Sequence, residues 1–196
     1  MRISDREPRP PRCLGTVVAR VPDEPLRSRL AAAFMTEEEV ATAREKHTSY
    51  GRPAAEFVSA HDELCAWTLA CSCGDDTGKL LGVRSDDVYT SPVCFACAAC
   101  GKTVGIFDAV VDGWTGEIAR KQRRRKSRGA STFALRCSSC KGTAWHPAVV
   151  LTYQGDAETF AKAPPERWQD FFDGMAVGGT CVRCGAVALP ASFECA

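Results

Sequence analysis

The chain has few histidines and no long apolar segment. Its 196 residues include three histidines, and no stretch approaches the roughly 18 consecutive apolar residues that a membrane-spanning helix requires. Residues 1–6 are followed by no apolar run of the kind found in a signal peptide. The sequence also contains no glycine-rich phosphate loop and no Ser/His/Asp or Cys/His arrangement. These absences predict a cytoplasmic protein that does not enter a membrane, has no catalytic residue and takes no small-molecule substrate.

Cysteine is the residue type that stands out. The composition is otherwise that of an ordinary globular protein, with 45% hydrophobic and 25% charged residues. An even count of twelve cysteines is compatible with disulfides, but disulfide frameworks belong mainly to secreted proteins. Because the chain shows no export signal, we expect reduced thiols, and reduced cysteines grouped in close pairs favour metal binding.

Eight of the cysteines lie in four short motifs, which we call knuckles. In each knuckle two cysteines are separated by one or two residues and a glycine follows within two positions: Cys71-Ser72-Cys73-Gly74, Cys97-Ala98-Ala99-Cys100-Gly101, Cys137-Ser138-Ser139-Cys140-Lys141-Gly142 and Cys181-Val182-Arg183-Cys184-Gly185. A tight turn directs both sulfurs of such a pair to one point, and glycine gives the backbone the freedom that the turn needs. Two pairs complete a tetrahedral zinc site with Zn–S distances of about 2.3 Å.

We therefore predict two zinc ions, each held by four cysteines of this set: Cys71, Cys73, Cys97, Cys100, Cys137, Cys140, Cys181 and Cys184. An all-cysteine tetrahedron has no open position, so both ions are predicted to be structural. The combination of the pairs stays open at this point. A sequential scheme joins 71/73 with 97/100 and 137/140 with 181/184, whereas a nested scheme joins 97/100 with 137/140 and 71/73 with 181/184.

The remaining cysteines have a simpler interpretation. Cys94 also forms a CxxC pair with Cys97, but Gly101 favours the pairing of Cys97 with Cys100. Four cysteines are then left over, and free cysteine is usually a small buried apolar residue: Cys13, Cys65, Cys94 and Cys195.

On these eight cysteines the chain resembles the zinc-ribbon, or rubredoxin-like, group of folds over residues of about 67–195. The first knuckle departs from that pattern, because it is CxC where the group has CxxC. Together with the periodicity of the rest, the resemblance implies an α+β fold, in which a small N-terminal helical part precedes an antiparallel double zinc-ribbon body.

The pattern along the chain divides it into three parts. Residues 1–25 are predicted to be a poorly ordered arm with a short strand over 14–21, and residues 26–66 a helical part with helices over about 37–47 and from Pro53, whose buried face includes Cys65. The body, 67–196, has alternating runs that predict strands at 67–71, 79–84, 102–111, 131–137, 144–153 and 186–193. One inserted helix is expected at about 165–174, with Phe172 on its buried side. The knuckle recurs, but no long-period repeat is evident.

A cationic segment is the other conspicuous feature. Seven basic residues lie close together and form a candidate binding surface for a partner protein or a nucleic acid: Arg120, Lys121, Arg123, Arg124, Arg125, Lys126 and Arg128. Elsewhere acidic residues are in excess. Four thiolates on one Zn²⁺ carry a net charge of −2, so two such sites would change the formal charge from +1 to about −3.

Three functions compete on this basis. The leading hypothesis is a non-enzymatic, zinc-stabilised protein that binds another protein, as an adaptor, inhibitor or immunity protein does, because an acidic body repels nucleic acid. The alternative is DNA or RNA binding through the basic segment 120–128. The third is a zinc-dependent deaminase, suggested by His61-Asp62-Glu63 and by Pro92, Cys94 and Cys97, although Val93 interrupts that motif.

Overall fold

The computed structural model describes residues 17–34, 65–85, 88–108, 132–153 and 172–194. Most of these residues belong to one antiparallel β-sheet, which curls into a half-barrel. One helix accompanies the sheet within these ranges, α1 (Glu24–Phe34). The strands are β1 (Val18–Arg20), β2 (Cys65–Ala70), β3 (Gly78–Ser85), β4 (Val88–Cys97), β5 (Thr103–Phe107), β6 (Thr132–Ala134), β7 (Ala144–Tyr153), β8 (Phe172–Cys181) and β9 (Val187–Glu194).

Two long antiparallel hairpins organise the sheet. The first pairs β3 with β4, and β5 extends it at one edge. The second pairs β7 with β8, and β9 extends it in the same way. The two hairpins meet where the start of β3 pairs with the start of β7, Gly78 with Trp145 and Lys79 with Ala144.

The short strands connect the two hairpins reciprocally. Strand β2, which precedes β3 in the chain, pairs with β7, whereas β6, which precedes β7, pairs with β3. Each half of the chain therefore has the same order: a short strand, a knuckle, two long strands, a second knuckle and a closing strand. The pairing pattern has approximate twofold symmetry, because the first strand of each half, β2 or β6, pairs with a long strand of the other half.

The strand registers make the internal repeat explicit. Equivalent positions in the two halves are Cys71 and Cys137, Gly74 and Lys141, Gly78 and Trp145, Ala99 and Arg183, and Cys97 and Cys181. The register shift in the β4–β5 pair, at Val93, also recurs in the β8–β9 pair, at Val177. The structure thus reveals a repeat that the sequence did not indicate, because outside the knuckles the equivalent residues differ.

Alternation along the strands divides the interior into two clusters. Alternate residues of β2, β7 and β8, among them Leu69, Val149 and Val177, face the main core, where Trp67, Trp145 and Met175 are fully buried. On the opposite face, Ala148 and Val150 pack against α1. Strand β7 is therefore apolar on both faces, which is why it reads as a nearly continuous hydrophobic run.

The helix begins at an aspartate cap. Asp23 accepts a hydrogen bond from the Leu26 amide at 3.0 Å through its Oδ1 atom, which satisfies one of the amides left free at a helix N-terminus. Pro25 in the first turn needs no amide partner there. Leu30 and Ala31 then bury α1 against the sheet.

The predicted fold class is wrong. The protein is mostly antiparallel sheet with one short helix in the described residues, and not an α+β protein with a helical N-terminal part followed by a ribbon body. Cys65 lies in β2 and Phe172 in β8, so the helices expected to reach 66 and 174 do not extend through these residues. Local apolar spacing favoured helix there, but pairing with β7, of Cys65 with Leu151 and of Phe172 with Tyr153, determines the conformation. The predicted helix over 37–47 lies outside the described residues.

The strand predictions fare better. Six predicted runs overlap β2, β3, β5, β6, β7 and β9, and the expected strand over 14–21 includes β1. Strands β4 and β8 were missed. Strand β4 contains Pro92, and β8 contains glycines at 174, 178 and 179. Both residue types weaken the strand signal in a sequence.

None of the helical segments that the structure describes has the length and hydropathy needed to cross a membrane.

Candidate metal centres

Site 1 is built at one end of the first hairpin. The turn that follows β2 supplies Cys71 and Cys73. Cys97 is the last residue of β4, and Cys100 lies in the turn between β4 and β5. The sulfurs of all four residues lie within 4.8 Å of one another. Across the site, Cys71 Sγ is 3.5 Å from Cys100 Sγ and Cys73 Sγ is 3.6 Å from Cys97 Sγ.

Site 2 repeats this construction at the end of the second hairpin. Cys137 and Cys140 follow β6, Cys181 is the last residue of β8, and Cys184 lies in the turn between β8 and β9. The Cys137 and Cys184 sulfurs are 3.8 Å apart, and the Cys140 and Cys181 sulfurs are 3.5 Å apart. The structure therefore groups the knuckles sequentially and not in the nested scheme.

The sulfur spacing fits a tetrahedral metal ion. A tetrahedron with Zn–S bonds of about 2.3 Å has S···S edges of about 3.8 Å, and the four cross-site distances are 3.5 to 3.8 Å. A disulfide would bring two sulfurs to about 2.05 Å, and these eight cysteines are free thiols. Each group can thus hold one metal ion with all four ligand positions filled by sulfur.

Backbone hydrogen bonds shape all four knuckles in the same way. In each, the amide of the first cysteine donates to a carbonyl just beyond the turn, as Cys97 does to Lys102 at 2.9 Å and Cys181 to Ala186 at 2.8 Å. The residue after the second cysteine has a positive φ in every knuckle, 95° at Gly74, 71° at Gly101 and 69° at Gly185. The fourth such residue is Lys141, with φ of 60°.

Each site has an inner and an outer pair of thiols. The first cysteine of every knuckle is buried and belongs to the main core: Cys71, Cys97, Cys137 and Cys181. The second cysteines Cys73, Cys100 and Cys184 are exposed, and Cys140 is half-buried. The inner sulfurs of both sites therefore belong to the core, and the outer sulfurs lie at or near the protein surface.

The first thiol of each site ionises readily in the metal-free protein. A hydrogen bond from the Cys73 backbone, aided by neighbouring thiols, lowers the pKa of Cys71 to about 7. Burial would raise the pKa of Cys137, but hydrogen bonds from the Cys140 and Ser139 backbone and from the Cys184 thiol lower it to about 7. These two cysteines are equivalent in the internal repeat, so each group has one thiolate that can receive a cation first.

The fourth thiol of site 2 behaves in the opposite way. A hydrogen bond from the Ala186 backbone acts to lower the pKa of Cys184, but its hydrogen bond to the Cys140 thiol and burial outweigh it and raise that pKa to about 12. Four thiolates at this spacing repel one another, and only a bound cation offsets that repulsion. The donor set thus suits a divalent ion with a preference for sulfur.

The charges around the two sites differ. In site 1, Asp75 Oδ2 lies 3.3 Å from Cys97 Sγ and 3.3 Å from the Ala99 amide nitrogen. Asp76, next in the chain, pairs with His146 at 3.3 Å. A carboxylate thus contacts one of the sulfurs that the metal would bind.

Site 2 is surrounded by donors and cations instead. The Gly142 amide donates to Cys140 Sγ at 3.4 Å, and an Arg183 guanidinium N–H donates to the Cys140 carbonyl at 3.4 Å. Lys141 Nζ donates to the Ser138 carbonyl at 3.0 Å. From the helix, Arg29 donates to the Gly185 carbonyl at 2.6 Å.

The other predicted residues are placed as follows. Cys94 is half-buried on β4 outside site 1, where burial, with a contribution from Asp108, raises the pKa of its thiol. Cys97 groups with Cys100, as Gly101 suggested, and so does not form the deaminase-like pair with Cys94. His61, Glu63, Cys13, Cys195 and the basic segment 120–128 lie outside the described residues. Asp75 was missed, although its place two residues after a ligand is a signal for a residue near the metal.

Searches of protein-family models, curated proteins and solved structures return no match to this chain.

Proposed function

We propose that the protein is a non-enzymatic binding protein whose sheet is held in shape by two zinc ions and whose ligand is another protein. The observation that carries the proposal is the pair of four-cysteine groups, each with sulfurs within 4.8 Å of one another. Zinc is the metal that structural four-cysteine sites most often hold. We expect the protein to work in the reducing cytoplasm, where such thiols stay available for the metal.

The location of the sites supports a structural role for the ions. Cys71, Cys97, Cys137 and Cys181 form part of the main core, so the metal joins core strands that are far apart in the sequence. Four thiolates leave zinc without the open position that substrates or water need, and they reduce its strength as a Lewis acid. Zinc binding then contributes directly to the free energy of folding.

Binding of a protein is favoured by the exposed apolar side chains. Large hydrophobic residues with roughly half of their surface exposed are Val18, Val21, Phe133 and Val182. Aromatic side chains such as Phe133 are enriched in protein–protein interfaces. The basic segment 120–128 carries the competing hypothesis of nucleic-acid binding.

The test uses the zinc-loaded full chain as bait in the cells that naturally make it. We expect a protein to be recovered in fixed stoichiometry and to re-form the complex when both partners are purified, with and without nuclease treatment. Metal-free bait provides the control and should lose the partner, because the sheet depends on zinc. Recovery of nucleic acid alone, with loss of all associated protein after nuclease treatment, would contradict the proposal in favour of the competing one.

A further inference from the structure

The internal repeat allows the two metal sites to be compared residue by residue. Both hold four cysteines on the same backbone, but the residues beside the ligands differ: Gly74, Ala98 and Ala99 in site 1 correspond to Lys141, Val182 and Arg183 in site 2. Site 1 shows that glycine and alanine suffice at these positions to place four sulfurs. The larger residues of site 2 therefore need another explanation.

Lys141 is the least expected of them. Its φ of 60° lies in the left-handed region, where the other three knuckles have glycine. A residue with a Cβ atom is less stable than glycine in this conformation. The lysine thus occupies a position where glycine would favour the fold.

Val182 is the exposed apolar residue of site 2. Its side chain is 47% exposed at the tip of the second knuckle of site 2, although its amide is fixed by a 3.0 Å hydrogen bond to the Ala144 carbonyl. The equivalent residue in site 1 is Ala98, which presents much less apolar surface. A rigidly held, exposed aliphatic side chain is suited to contact a partner.

Lys141 and Arg183 belong to the two knuckles of site 2, one to each. Arg183 donates to the Cys140 carbonyl and Lys141 to the Ser138 carbonyl, so both side chains lie over the first knuckle of site 2. A Cβ atom added at Gly142 would lie 3.3 Å from Arg183 Cβ, which shows how closely the two knuckles approach. Each of these bonds uses one N–H, leaving two on the ammonium group and four on the guanidinium group for a ligand.

The negative charge of the four thiolates and Zn²⁺ does not explain why Lys141 and Arg183 are present. Four thiolates and one Zn²⁺ carry the same net charge of −2 in both sites, yet site 1 has the Asp75 carboxylate 3.3 Å from Cys97 Sγ. Cations that served only to offset the thiolates would be needed at both. Site 1 has glycine and alanine where site 2 has Lys141 and Arg183, and this difference separates these two cations from metal binding.

We propose that the exposed surface of site 2, formed by Ser138, Ser139, Lys141, Val182 and Arg183, is where an acidic segment of the partner protein docks. Carboxylates of that segment would pair with Lys141 and Arg183, and an aliphatic side chain would pack on Val182. A protein segment fits better than nucleic acid, because the exposed Val182 beside Arg183 offers an apolar contact and no aromatic ring for base stacking is among these five residues. This inference rests on the proposed function and names the partner's chemistry.

The probe is a short fluorescein-labelled peptide in which Asp-Glu-Leu is repeated, titrated with the zinc-loaded full chain. The variant Lys141→Gly/Val182→Ala/Arg183→Ala gives site 2 the residues of site 1, so it should fold and keep its metal. We expect the Kd to rise about tenfold, the loss of roughly one charge-assisted contact. The matched control, Lys102→Ala, removes the exposed cation that directly follows the second knuckle of site 1 and should leave the Kd within about twofold of the unmodified chain's.

Amide signals of the isotopically labelled protein locate the binding. Peptide should shift the signals of residues 138–142 and 181–185 but not those of 72–75 and 97–101. The inference is overturned if the control loses as much affinity as the variant, if the site 1 signals shift instead, or if a poly-thymidine strand binds more tightly at the same residues. A natural protein partner that binds the variant and the unmodified chain equally would also overturn it while leaving the proposed function intact.

Discussion

Gly78 of β3 pairs with Trp145 of β7 at the point where the two hairpins meet, and each also pairs with a metal-site cysteine of its own half, Cys97 and Cys181 respectively. The two residues are equivalent in the repeat, yet one has no side chain and the other has the largest. A Cβ atom at Gly78 would collide with the Ala96 carbonyl oxygen and the Phe95 ring. The symmetry is therefore broken at its centre, where the indole of Trp145 is fully buried.

Gly78→Ala should destabilise the protein strongly. The added methyl group meets the backbone oxygen of Ala96, which cannot move without disturbing the β3–β4 pair, so we expect a loss of about 2 kcal/mol or more in the free energy of unfolding. Gly105→Ala is the control, because a Cβ atom there meets nothing within 4 Å, and its stability should be unchanged or about 0.5 kcal/mol higher. Urea unfolding of the zinc-saturated proteins measures both, and equal effects would contradict the packing described at Gly78.

The two central tryptophans should respond differently to replacement by phenylalanine. Trp145 Nε1 donates to the Leu135 carbonyl at 3.1 Å. Trp67 Nε1 is buried and has no hydrogen-bond partner among the residues that the structure describes. Trp145→Phe leaves a buried carbonyl without its donor, but Trp67→Phe removes an unsatisfied donor. We expect Trp145→Phe to cost about 1–3 kcal/mol more in unfolding free energy. A larger loss for Trp67→Phe would contradict this assignment.

Asp75 should weaken metal binding at site 1. In the metal-free protein its carboxylate accepts a hydrogen bond from the Cys97 thiol at 3.3 Å. Metal binding removes that proton and leaves two negative groups in contact. Asp75→Asn keeps the acceptor for the Ala99 amide without the charge, so we expect site 1 to bind zinc about tenfold more tightly.

Competition with a chromophoric chelator measures this change. Asp76→Asn is the matched control, because Asp76 pairs with His146 and should affect zinc binding little. In the unmodified protein the chelator should remove the zinc ion of site 1 first. The Asp75→Asn variant should reduce the difference in zinc affinity between the two sites. Weaker zinc binding by the Asp75→Asn variant would contradict this prediction and show that the Asp75 carboxylate strengthens zinc binding.

Zinc affinity should fall as the pH is lowered, because protons compete with the metal for the thiolates. Since Cys71 and Cys137 have pKa values of about 7 in the metal-free protein, each site already contains one thiolate above that pH. Binding should then release about three protons per ion above pH 7 and about four below it, and each proton released changes the Kd about tenfold per pH unit. Indicator titration in weak buffer counts the protons, and a release of only one or two would contradict four-thiolate coordination.

The knuckles could be predicted from the sequence because their chemistry is local. Two cysteines and a glycine within six residues define each turn, and the structure brings together the eight cysteines that these motifs identified. The pairing of knuckles could not be decided, since it depends on which strands form hairpins. Strand β8, which ends at Cys181, was not predicted. The β7–β8 hairpin, which favours the sequential grouping of the knuckles, was therefore not predicted either.

The sheet could be predicted only in part. Alternating runs located most strands, but their partners are distant in sequence: β2 pairs with β7, more than 70 residues away. Such pairing overrides local preference, as at Cys65 and Phe172, where helical spacing led to a wrong prediction. The signal for α1 was available in Asp23 and Pro25, a cap followed by a first-turn proline, but residues 1–25 were predicted to be a poorly ordered arm.

Metal content combined with X-ray absorption at the zinc edge tests the central claim most directly. The purified full chain should contain about two zinc ions, each surrounded by four sulfurs at about 2.3 Å. Removal of the metal should abolish the folded sheet. Protein that is folded without metal, or whose zinc has nitrogen or oxygen ligands in place of some sulfurs, would contradict the account.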